Sequence, residues 1–251
     1  MAKVDVNGVK LHVQRVGKGP PVVMLHGLFS TLTSWYTTVA PILAPDHDCI
    51  MYDLRGHGGS ERVVKGYDLR TLANDLLSLL NELGLEKVPL LGHSYGALVG
   101  LRLAIAHPER VSHLILVEAP LPPSKADEIE DFMAKTPAEM LAALPPVAQT
   151  FIVEGGRRAR GFLRSVIFLA RESSLLSDMR AEPDFTDEEL AGVQCPTLCI
   201  YGAESCCLDA SLRLGRTVPR SAREVLPGGH SLHLDSPSVL AAKILEFLDG
   251  I

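Results

Sequence analysis

The sequence lacks three features that would link it to a membrane, a nucleic acid or a secretory route. None of its apolar runs approaches the length of about 18 residues that a membrane-spanning helix requires. No run of lysine and arginine is suited to cradle phosphates and the net charge is −6, so we expect no nucleic-acid partner. The first six residues contain no apolar segment of the secretory type, and we therefore expect a cytoplasmic protein.

Cysteine is scarce and shows no framework spacing. The five cysteines are odd in number, which favours thiols in a reducing compartment over a set of disulfides. Cys206 and Cys207 are adjacent, but no second cysteine or histidine pair lies at ligand spacing near them. The sequence therefore predicts neither a metal site nor a cofactor.

The length and composition are those of a single globular unit. A chain of 251 residues can build one substantial core and is short for two independent ones. Apolar residues make up 47% and charged residues 22%, which is ordinary for a globular protein.

Short apolar runs alternate with helical patterns over most of the chain. After a hairpin signal at Asn7-Gly8, six short runs that begin and end with apolar residues each stop at a polar residue, a glycine or a proline, as buried strands of parallel sheets do. These runs cover residues 22–25, 49–52, 88–91, 111–117, 198–201 and 222–226. The clearest helical patterns cover 69–83, 97–106 and 237–248. The sequence therefore predicts an α/β fold with a doubly wound, mostly parallel sheet.

One stretch interrupts this alternation. Residues 121–187 show helical patterns, several prolines and no convincing strand. We interpret them as a helical cap inserted into a core made of residues 1–120 and 188–251. Such a cap would lie over the carboxyl ends of the strands, where open α/β sheets bind ligands. Its richness in Leu, Phe, Ala and Met favours an apolar pocket.

One pentapeptide indicates nucleophilic catalysis. Gly92-His93-Ser94-Tyr95-Gly96 matches Gly-x-Ser-x-Gly and stands between a predicted strand and a predicted helix. The serine of such a turn has strained backbone angles, and the flanking glycines remove the collisions that side chains would cause there. The N-terminus of the following helix favours developing negative charge. We therefore predict Ser94 as a nucleophile.

These residues resemble the α/β-hydrolase-fold family, in the lid-bearing branch that includes esterases, lactonases and carbon–carbon bond hydrolases. The resemblance extends from His26-Gly27 to the last helix and is weakest over 121–187. It implies a serine hydrolase with a catalytic triad. Dehalogenases and epoxide hydrolases of this family carry aspartate at the nucleophile position, so Ser94 argues against their chemistry.

The resemblance also implies an oxyanion hole, built from backbone N–H donors aimed at the charge on the reacting carbonyl oxygen. One donor is the residue after the nucleophile, which is Tyr95 here. The other belongs to the loop after the strand that ends at Leu25, where His26-Gly27-Leu28 resembles a His-Gly-x motif of the family. We expect the Leu28 N–H to be that donor and His26 to orient the loop.

A serine nucleophile needs a base, and histidine suits neutral pH. Of the nine histidines, His230 follows the last predicted strand and two glycines, and it precedes the last helix. In this family the histidine comes last in the chain, at the same edge of the sheet as the nucleophile. The nearby His233 is typical of the start of a helix that packs on the sheet. We therefore predict His230 as the base.

The acid departs from the commonest pattern of the family. Many relatives carry an aspartate three residues after the glycine that ends the strand before the last one. That glycine is Gly202 here, and the position three residues later is occupied by Ser205, which cannot carry a negative charge.

A second acid position is known from relatives similar to haloalkane dehalogenase, at the end of the strand after the nucleophile's helix. This chain has Glu118 there, 24 residues after Ser94, and we predict that Glu118 orients His230. Glu204 and Asp209 remain as alternatives, although Asp209 fits better as a helix N-cap.

Together these residues predict the cleavage of a small or medium hydrophobic carboxylic ester through an acyl-enzyme intermediate. No metal or organic cofactor is needed, and the expected partner is a small acyl substrate of a monomer or homodimer. A thioesterase, a lactonase, a carbon–carbon bond hydrolase and a ligand-binding receptor without turnover remain as alternatives on the same fold.

Overall fold

The structure is a computed structural model that describes residues 2–123, 139, 142, 149–150, 153–154 and 156–250. Eight strands form one sheet, in the order β1-β2-β4-β3-β5-β6-β7-β8. They are β1 (Ala2–Val6), β2 (Val9–Val16), β3 (Pro21–Leu25), β4 (Asp48–Tyr52), β5 (Val88–His93), β6 (Val111–Val117), β7 (Thr197–Gly202) and β8 (Ser221–Leu226). The pairs β1–β2 and β2–β4 are antiparallel and all other neighbours are parallel, which confirms the mostly parallel sheet.

Helices connect most of the strands. They are α1 (Thr33–Tyr36), α2 (Ala40–Leu43), α3 (Leu69–Glu82), α4 (Tyr95–Ala106), α5 (Gly156–Arg171), α6 (Leu175–Ala181), α7 (Asp187–Ala191), α8 (Leu208–Thr217), α9 (Leu232–Asp235) and α10 (Pro237–Asp249). A 3-10 turn, Pro108–Arg110, precedes β6. Among the described helices, none combines the length and apolar character needed to cross a bilayer.

Both faces of the sheet are covered, as the continuous apolar runs predicted. Along β3, Val23 and Leu25 belong to the core on the face covered by α3 and α4, while Val22 and Met24 belong to the core beneath α1, α2 and α10. Side chains of a strand point alternately to the two faces, so a strand buried on both needs apolar residues at every position. This explains why these segments read as unbroken apolar runs.

The hairpin between β1 and β2 forms where it was predicted. Asn7 and Gly8 both have positive φ, 48° and 78°, which a two-residue turn of type I′ requires. The Asn7 side chain also donates to the Asp75 carboxylate at 3.1 Å and thereby joins the turn to α3.

The described part of the predicted cap is helical, in α5, α6 and the start of α7, and it contains no strand. Several hydrogen bonds join it to the core. Among them, the Tyr67 N–H donates to Asp178 and the Leu69 N–H to Glu182, both at 2.9 Å, and the Ser174 N–H donates to the Val64 carbonyl at 2.7 Å. The boundaries of the cap stay a prediction, because most of residues 124–155 lie outside the described part.

Parallel pairing gathers the carboxyl ends of the central strands at one edge of the sheet. Leu25 of β3 pairs with Gly92 of β5, and Val117 of β6 pairs with His93 of β5. The residues that immediately follow these strands therefore lie side by side. Ser94 and Glu118 both occupy such positions.

Candidate active site

Ser94 forms the tight turn between β5 and α4. Its backbone angles, φ 52° and ψ −123°, are ones that residues with side chains rarely adopt, so neighbouring contacts must hold them. The Ser94 N–H donates to the Val117 carbonyl at 2.8 Å, and the Ser94 carbonyl accepts from the Ala97 N–H at 2.9 Å. Ser94 is partly exposed, so a substrate can reach it.

The two glycines of the pentapeptide are required by close backbone contacts. A Cβ at position 92 would lie 2.4 Å from the Ala97 Cα, and a Cβ at position 96 would lie 2.4 Å from the His26 carbonyl oxygen. Either contact would push α4 away from the sheet. Gly92 and Gly96 therefore allow the sharp turn that presents Ser94.

The predicted oxyanion loop lies beside Ser94. A Cβ at Gly27 would be only 3.1 Å from the Ser94 Cβ, so the missing side chain lets this loop approach the serine closely. Leu28 follows Gly27 in this loop and Tyr95 follows Ser94, and neither N–H donates to a backbone carbonyl among the hydrogen bonds of the described turns and loops. Their role as oxyanion donors stays a prediction.

Two buried histidines hold this loop. The Nδ1–H of His26 donates to the Gly27 carbonyl at 2.7 Å, and its Nε2 accepts from the Leu54 N–H at 3.0 Å. The Nε2 of His57 accepts from the Phe29 N–H at 3.3 Å. Burial lowers the pKa of His26, and burial together with nearby His26 lowers the pKa of His57 to about 3. Both rings are therefore neutral at pH 7, and His26 has no nitrogen left for Ser94.

His230 and Glu118 meet at the edge of the sheet. The Nδ1 of His230, in the loop after β8, lies 3.3 Å from the Oε2 of Glu118, which follows β6. The Glu118 side chain is 0% exposed and the His230 side chain is 36% exposed. A carboxylate at Nδ1 keeps the ring proton on that nitrogen and leaves Nε2 to accept another proton.

Glu118 is held in place by several further contacts. Its φ is 58°, and its N–H donates to the Ile200 carbonyl at 2.9 Å. Its Oε1 accepts from the Gly202 N–H at 2.5 Å, and its Oε2 accepts from the Ser205 hydroxyl. Ser205, which stands where many relatives carry the acid, is thus a partner of the acid in this chain.

The two alternative carboxylates are placed differently. Glu204 and Asp209 are both exposed, and Glu118 is the carboxylate that contacts His230 among the described residues. The expectation that Asp209 caps a helix is wrong, because α8 begins two residues earlier than that expectation requires. Its N-cap residue is Cys207, and Asp209 lies in the first turn.

Close packing brings the His230 loop to this edge. A Cβ at Gly202 would lie 2.2 Å from the Gly228 carbonyl oxygen, so the loop can approach β7 only because residue 202 is glycine. The Nε2–H of His93 donates to the His230 carbonyl at 2.8 Å, and the two rings are 5.0 Å apart. Burial, followed by the neighbouring rings of His233 and His230, lowers the pKa of His93 well below its ordinary value. A neutral His93 therefore connects the residue before Ser94 to the His230 backbone.

Ser94, Glu118 and His230 thus lie at one edge of the sheet. Two further features of this edge are visible only in the tertiary structure. No hydrogen bond joins the Ser94 hydroxyl to His230 among the described residues, a common situation before substrate binds. Sequence reasoning also missed Cys207, whose sulfur lies 3.7 Å from the His230 Nδ1.

Trp35 of α1 is a packing residue. It is fully buried, its indole N–H donates to the Leu25 carbonyl at 3.0 Å, and its ring lies 5.3 Å from that of His233. His233 is buried in α9, as its sequence setting indicated.

A model of the α/β hydrolase fold family matches residues 20–150, slightly more than half of the chain. This protein belongs to the α/β-hydrolase-fold family, as its motifs predicted.

Individual relatives carry the names of several kinds of enzyme, among them a dehalogenase, hydrolases, an acetyltransferase component and a chloroperoxidase. A fluoroacetate dehalogenase from Burkholderia sp. is 34% identical over 137 residues, which are 53% of this chain and 45% of the dehalogenase. The matched region thus spans less than half of that relative.

Solved structures share the fold over almost the whole chain. A hydrolase from Pseudomonas aeruginosa PA01 has a TM-score of 0.80 at 24% identity, covering 98% of this chain and 97% of its own. An enol-lactonase from Burkholderia xenovorans LB400 has a TM-score of 0.78 at 22% identity, covering 99% and 100%. At this level of identity the likeness shows the fold.

Proposed function

We propose that this protein is a serine hydrolase that cleaves a small or medium hydrophobic carboxylic ester. Ser94 is the nucleophile, His230 the base and Glu118 the acid, and the N–H groups of Leu28 and Tyr95 bind the oxyanion. The observation that carries the proposal is the strained turn at Ser94, on the same sheet edge as a His230–Glu118 pair with Nδ1 and Oε2 3.3 Å apart.

The reaction follows from these positions. As Ser94 attacks the acyl carbon, its proton passes to the Nε2 of His230, and Glu118 stabilises the charged ring through Nδ1. The two N–H donors bind the tetrahedral oxyanion, and losing one such donor typically costs roughly 3–4 kcal/mol of transition-state stabilisation. His230 then protonates the leaving alcohol, and a water that it activates releases the acid from Ser94.

The preference for acyl substrates follows from the nucleophile. A serine acylated at its oxygen is an ester, which water can hydrolyse from the same site. A serine alkylated by a halide or an epoxide would become an ether, which the same water could not cleave. The dehalogenase activity named for the Burkholderia relative is therefore not proposed for this chain, although a stretch of the two sequences is 34% identical.

The preference for an apolar acyl group is supported by the loop beside Ser94. Leu28 and Phe29 are partly buried apolar residues of the oxyanion loop, and Phe168 of α5 packs against the same core. An apolar acyl chain loses unfavourable contact with water on binding beside such residues.

The test of the nucleophile is covalent labelling. A fluorophosphonate probe should label the chain at Ser94, and p-nitrophenyl acetate should give a burst of p-nitrophenol. Ser94→Ala should lose both while keeping its thermal unfolding temperature. The matched control is Ser177→Ala, since Ser177 is exposed on α6 and its hydroxyl donates to the Ser174 carbonyl at 2.8 Å. Labelling that persists in Ser94→Ala would refute the assignment.

The substrate class is tested by a screen of acyl chain length with matched esters, thioesters and lactones. We expect the largest kcat/KM for esters with a short or medium apolar acyl chain. A larger kcat/KM for thioesters or lactones would assign the chain to those classes instead. A β-diketone in the same screen tests for carbon–carbon bond cleavage. A chain that binds these compounds without turnover would be a receptor. A cytoplasmic location and a monomeric or homodimeric state stay predictions.

A further inference from the structure

We propose that Cys206, Cys207 and His230 form a binding site for a thiophilic divalent cation of the Zn²⁺ type, and that the bound cation prevents His230 from acting as a base. The second half of this proposal rests on the hydrolase function proposed above. The first half does not, because it concerns only the three side chains.

The three residues come together from two neighbouring loops. Cys206 and Cys207 lie between β7 and α8, and His230 lies in the loop after β8. β7 and β8 are parallel neighbours, so the loops at their carboxyl ends meet. The sequence did not reveal a third ligand for the two adjacent cysteines, because His230 lies 23 residues after Cys207 in the chain.

The distances fit one tetrahedral cation. The sulfurs of Cys206 and Cys207 are 3.7 Å apart, and the Cys207 sulfur is 3.7 Å from the His230 Nδ1. Zinc bonds of about 2.3 Å to sulfur and 2.0–2.1 Å to nitrogen, at tetrahedral angles, imply separations of about 3.8 Å and about 3.6 Å. One ligand atom from each residue lies within 4.8 Å of the other two, and Cys206 is exposed, so its side chain can close the remaining distance.

The surroundings favour a soft cation that can enter and leave. Cys207 is buried, whereas Cys206 is exposed and the His230 side chain is 36% exposed, so the site opens to solvent on one side. The buried carboxylate of Glu118, 3.3 Å from the His230 Nδ1, adds negative charge next to the ligands. Two thiolates and an imidazole are a donor set that zinc prefers, and three protein ligands leave a fourth position for water.

The cation and the proposed catalytic function compete for one atom. Catalysis needs the proton on the His230 Nδ1, directed at Glu118, so that Nε2 carries the lone pair that accepts the Ser94 proton. A cation bound to Nδ1 uses the lone pair of that nitrogen, so the single ring proton must move to Nε2. The two thiols each release a proton to solvent when they bind the cation. His230 then has no lone pair for Ser94, and hydrolysis stops until the cation leaves.

The binding test uses Co²⁺ as a spectroscopic probe on the whole chain, reduced with a phosphine that does not bind metals tightly. One equivalent of Co²⁺ should produce a thiolate-to-cobalt absorption band in the near ultraviolet, and Zn²⁺ should abolish it. Cys206→Ala and Cys207→Ala should lose the band. Cys195→Ala is the matched control, because Cys195 is a buried thiol just before β7 and should leave the band unchanged.

The inhibition test follows p-nitrophenyl acetate hydrolysis against free Zn²⁺, with each variant scaled to its own metal-free rate. We expect the two site variants to need at least tenfold more Zn²⁺ for half inhibition than the parent chain and Cys195→Ala, and a chelator to restore the rate. Cys206→Ala keeps the test usable if the replacement of buried Cys207 disturbs folding, because Cys206 is at the surface.

Two results would overturn the proposal. One is the absence of the cobalt band from the parent chain, and the other is Zn²⁺ inhibition that is equal in the parent chain and Cys206→Ala. The outcome for the hydrolase is separate: a chain that gives the band but is not labelled by a fluorophosphonate would refute the proposed function and the inhibition, and support the metal site alone.

Discussion

Glu118 is a fully buried carboxylate, and such a group is stable only when donors and opposite charge surround it. Its oxygens accept from the Gly202 N–H, from the Ser205 hydroxyl and, at 3.3 Å, from the His230 Nδ1–H. These donors come from the end of β7, from the loop after β7 and from the loop after β8. The charge of Glu118 therefore determines how those loops sit as well as how His230 is oriented.

At this residue scale, Glu118→Gln should lower kcat by about 10³- to 10⁴-fold with little change in KM. An amide can donate to Nδ1, which would stabilise the tautomer with the proton on Nε2, and related triads lose about 10⁴-fold for this reason. Steady-state kinetics with p-nitrophenyl esters measure it. Glu204→Gln is the control, since Glu204 is exposed in the loop after β7 and should stay within about twofold of the parent chain. The reverse order of effects would assign the acid to Glu204.

Ser205 provides a second test at this scale. Ser205→Ala removes one donor from a buried carboxylate, and hydrogen bonds to charged groups are worth about 1.5–3 kcal/mol. We expect kcat to fall about tenfold while KM changes little, because the Ser205 hydroxyl contacts Glu118 and the Cys207 N–H and acts on His230 through them. Ser205→Thr keeps the hydroxyl and should recover most of the loss. Equal loss in both variants would show that Ser205 has only a packing role.

At the scale of elements, the spacing of β7 and the His230 loop depends on Gly202. A methyl group there would lie 2.2 Å from the Gly228 carbonyl and would push the loop outward. A displacement of about 1 Å in an active site can cost about 100-fold in rate, so Gly202→Ala should lower kcat/KM by about that factor. Gly229→Ala is the control, because a Cβ at 229 has no neighbour within 4 Å and should cost less than about threefold. Similar rates in both variants would contradict this account.

The elements themselves could be predicted from the sequence to different degrees. Every predicted strand exists. The central strands were visible because a strand buried on both faces requires a run of apolar side chains, whereas β8 is largely exposed and includes Arg223 and Glu224. The ends were less accurate: β5 continues to His93 and β7 to Gly202, since backbone pairing with neighbouring strands extends past the apolar residues. α4 begins at Tyr95, two residues before its predicted start, because the helix follows the Ser94 turn at once.

At the scale of the whole molecule, the candidate site was predictable where it depends on chain order and not where it depends on contacts between loops. The pentapeptide, the late histidine and the 24-residue spacing led to Ser94, His230 and Glu118, which the fold gathers at one edge. The contacts of Ser205 with Glu118 and of Cys207 with His230 join segments 87 and 23 residues apart. No local pattern reports such contacts, because they depend on how β6, β7 and β8 align.

Buried neutral histidines tie the stability of the whole fold to pH. Burial lowers the pKa of His26, and it lowers the pKa of His57 from 6.5 to about 3. The charged group nearest to them is Asp53, whose carboxylate lies 3.9 Å from the His26 Nε2 and 2.7 Å from the His12 Nδ1 and accepts from the Leu32 N–H at 2.7 Å. In the unfolded chain these histidines take up a proton as the pH falls below about 6.5, whereas in the folded protein they resist it. The unfolded state therefore binds more protons between about pH 3 and pH 6.5, and stability falls as the pH falls through that window.

The last prediction follows from this difference. Each pKa unit corresponds to about 1.36 kcal/mol, so a change from pH 7 to pH 5 should cost about 2 kcal/mol of unfolding free energy through His57 alone. His57→Gln has no group that titrates there and should lose about 2 kcal/mol less over the same change, even if it is less stable at pH 7. His107→Gln is the control, because His107 is partly exposed after α4 and its replacement should leave the change intact. Urea unfolding at both pH values measures it, and an unchanged difference in His57→Gln would mean that His57 is not the group that responds to acid.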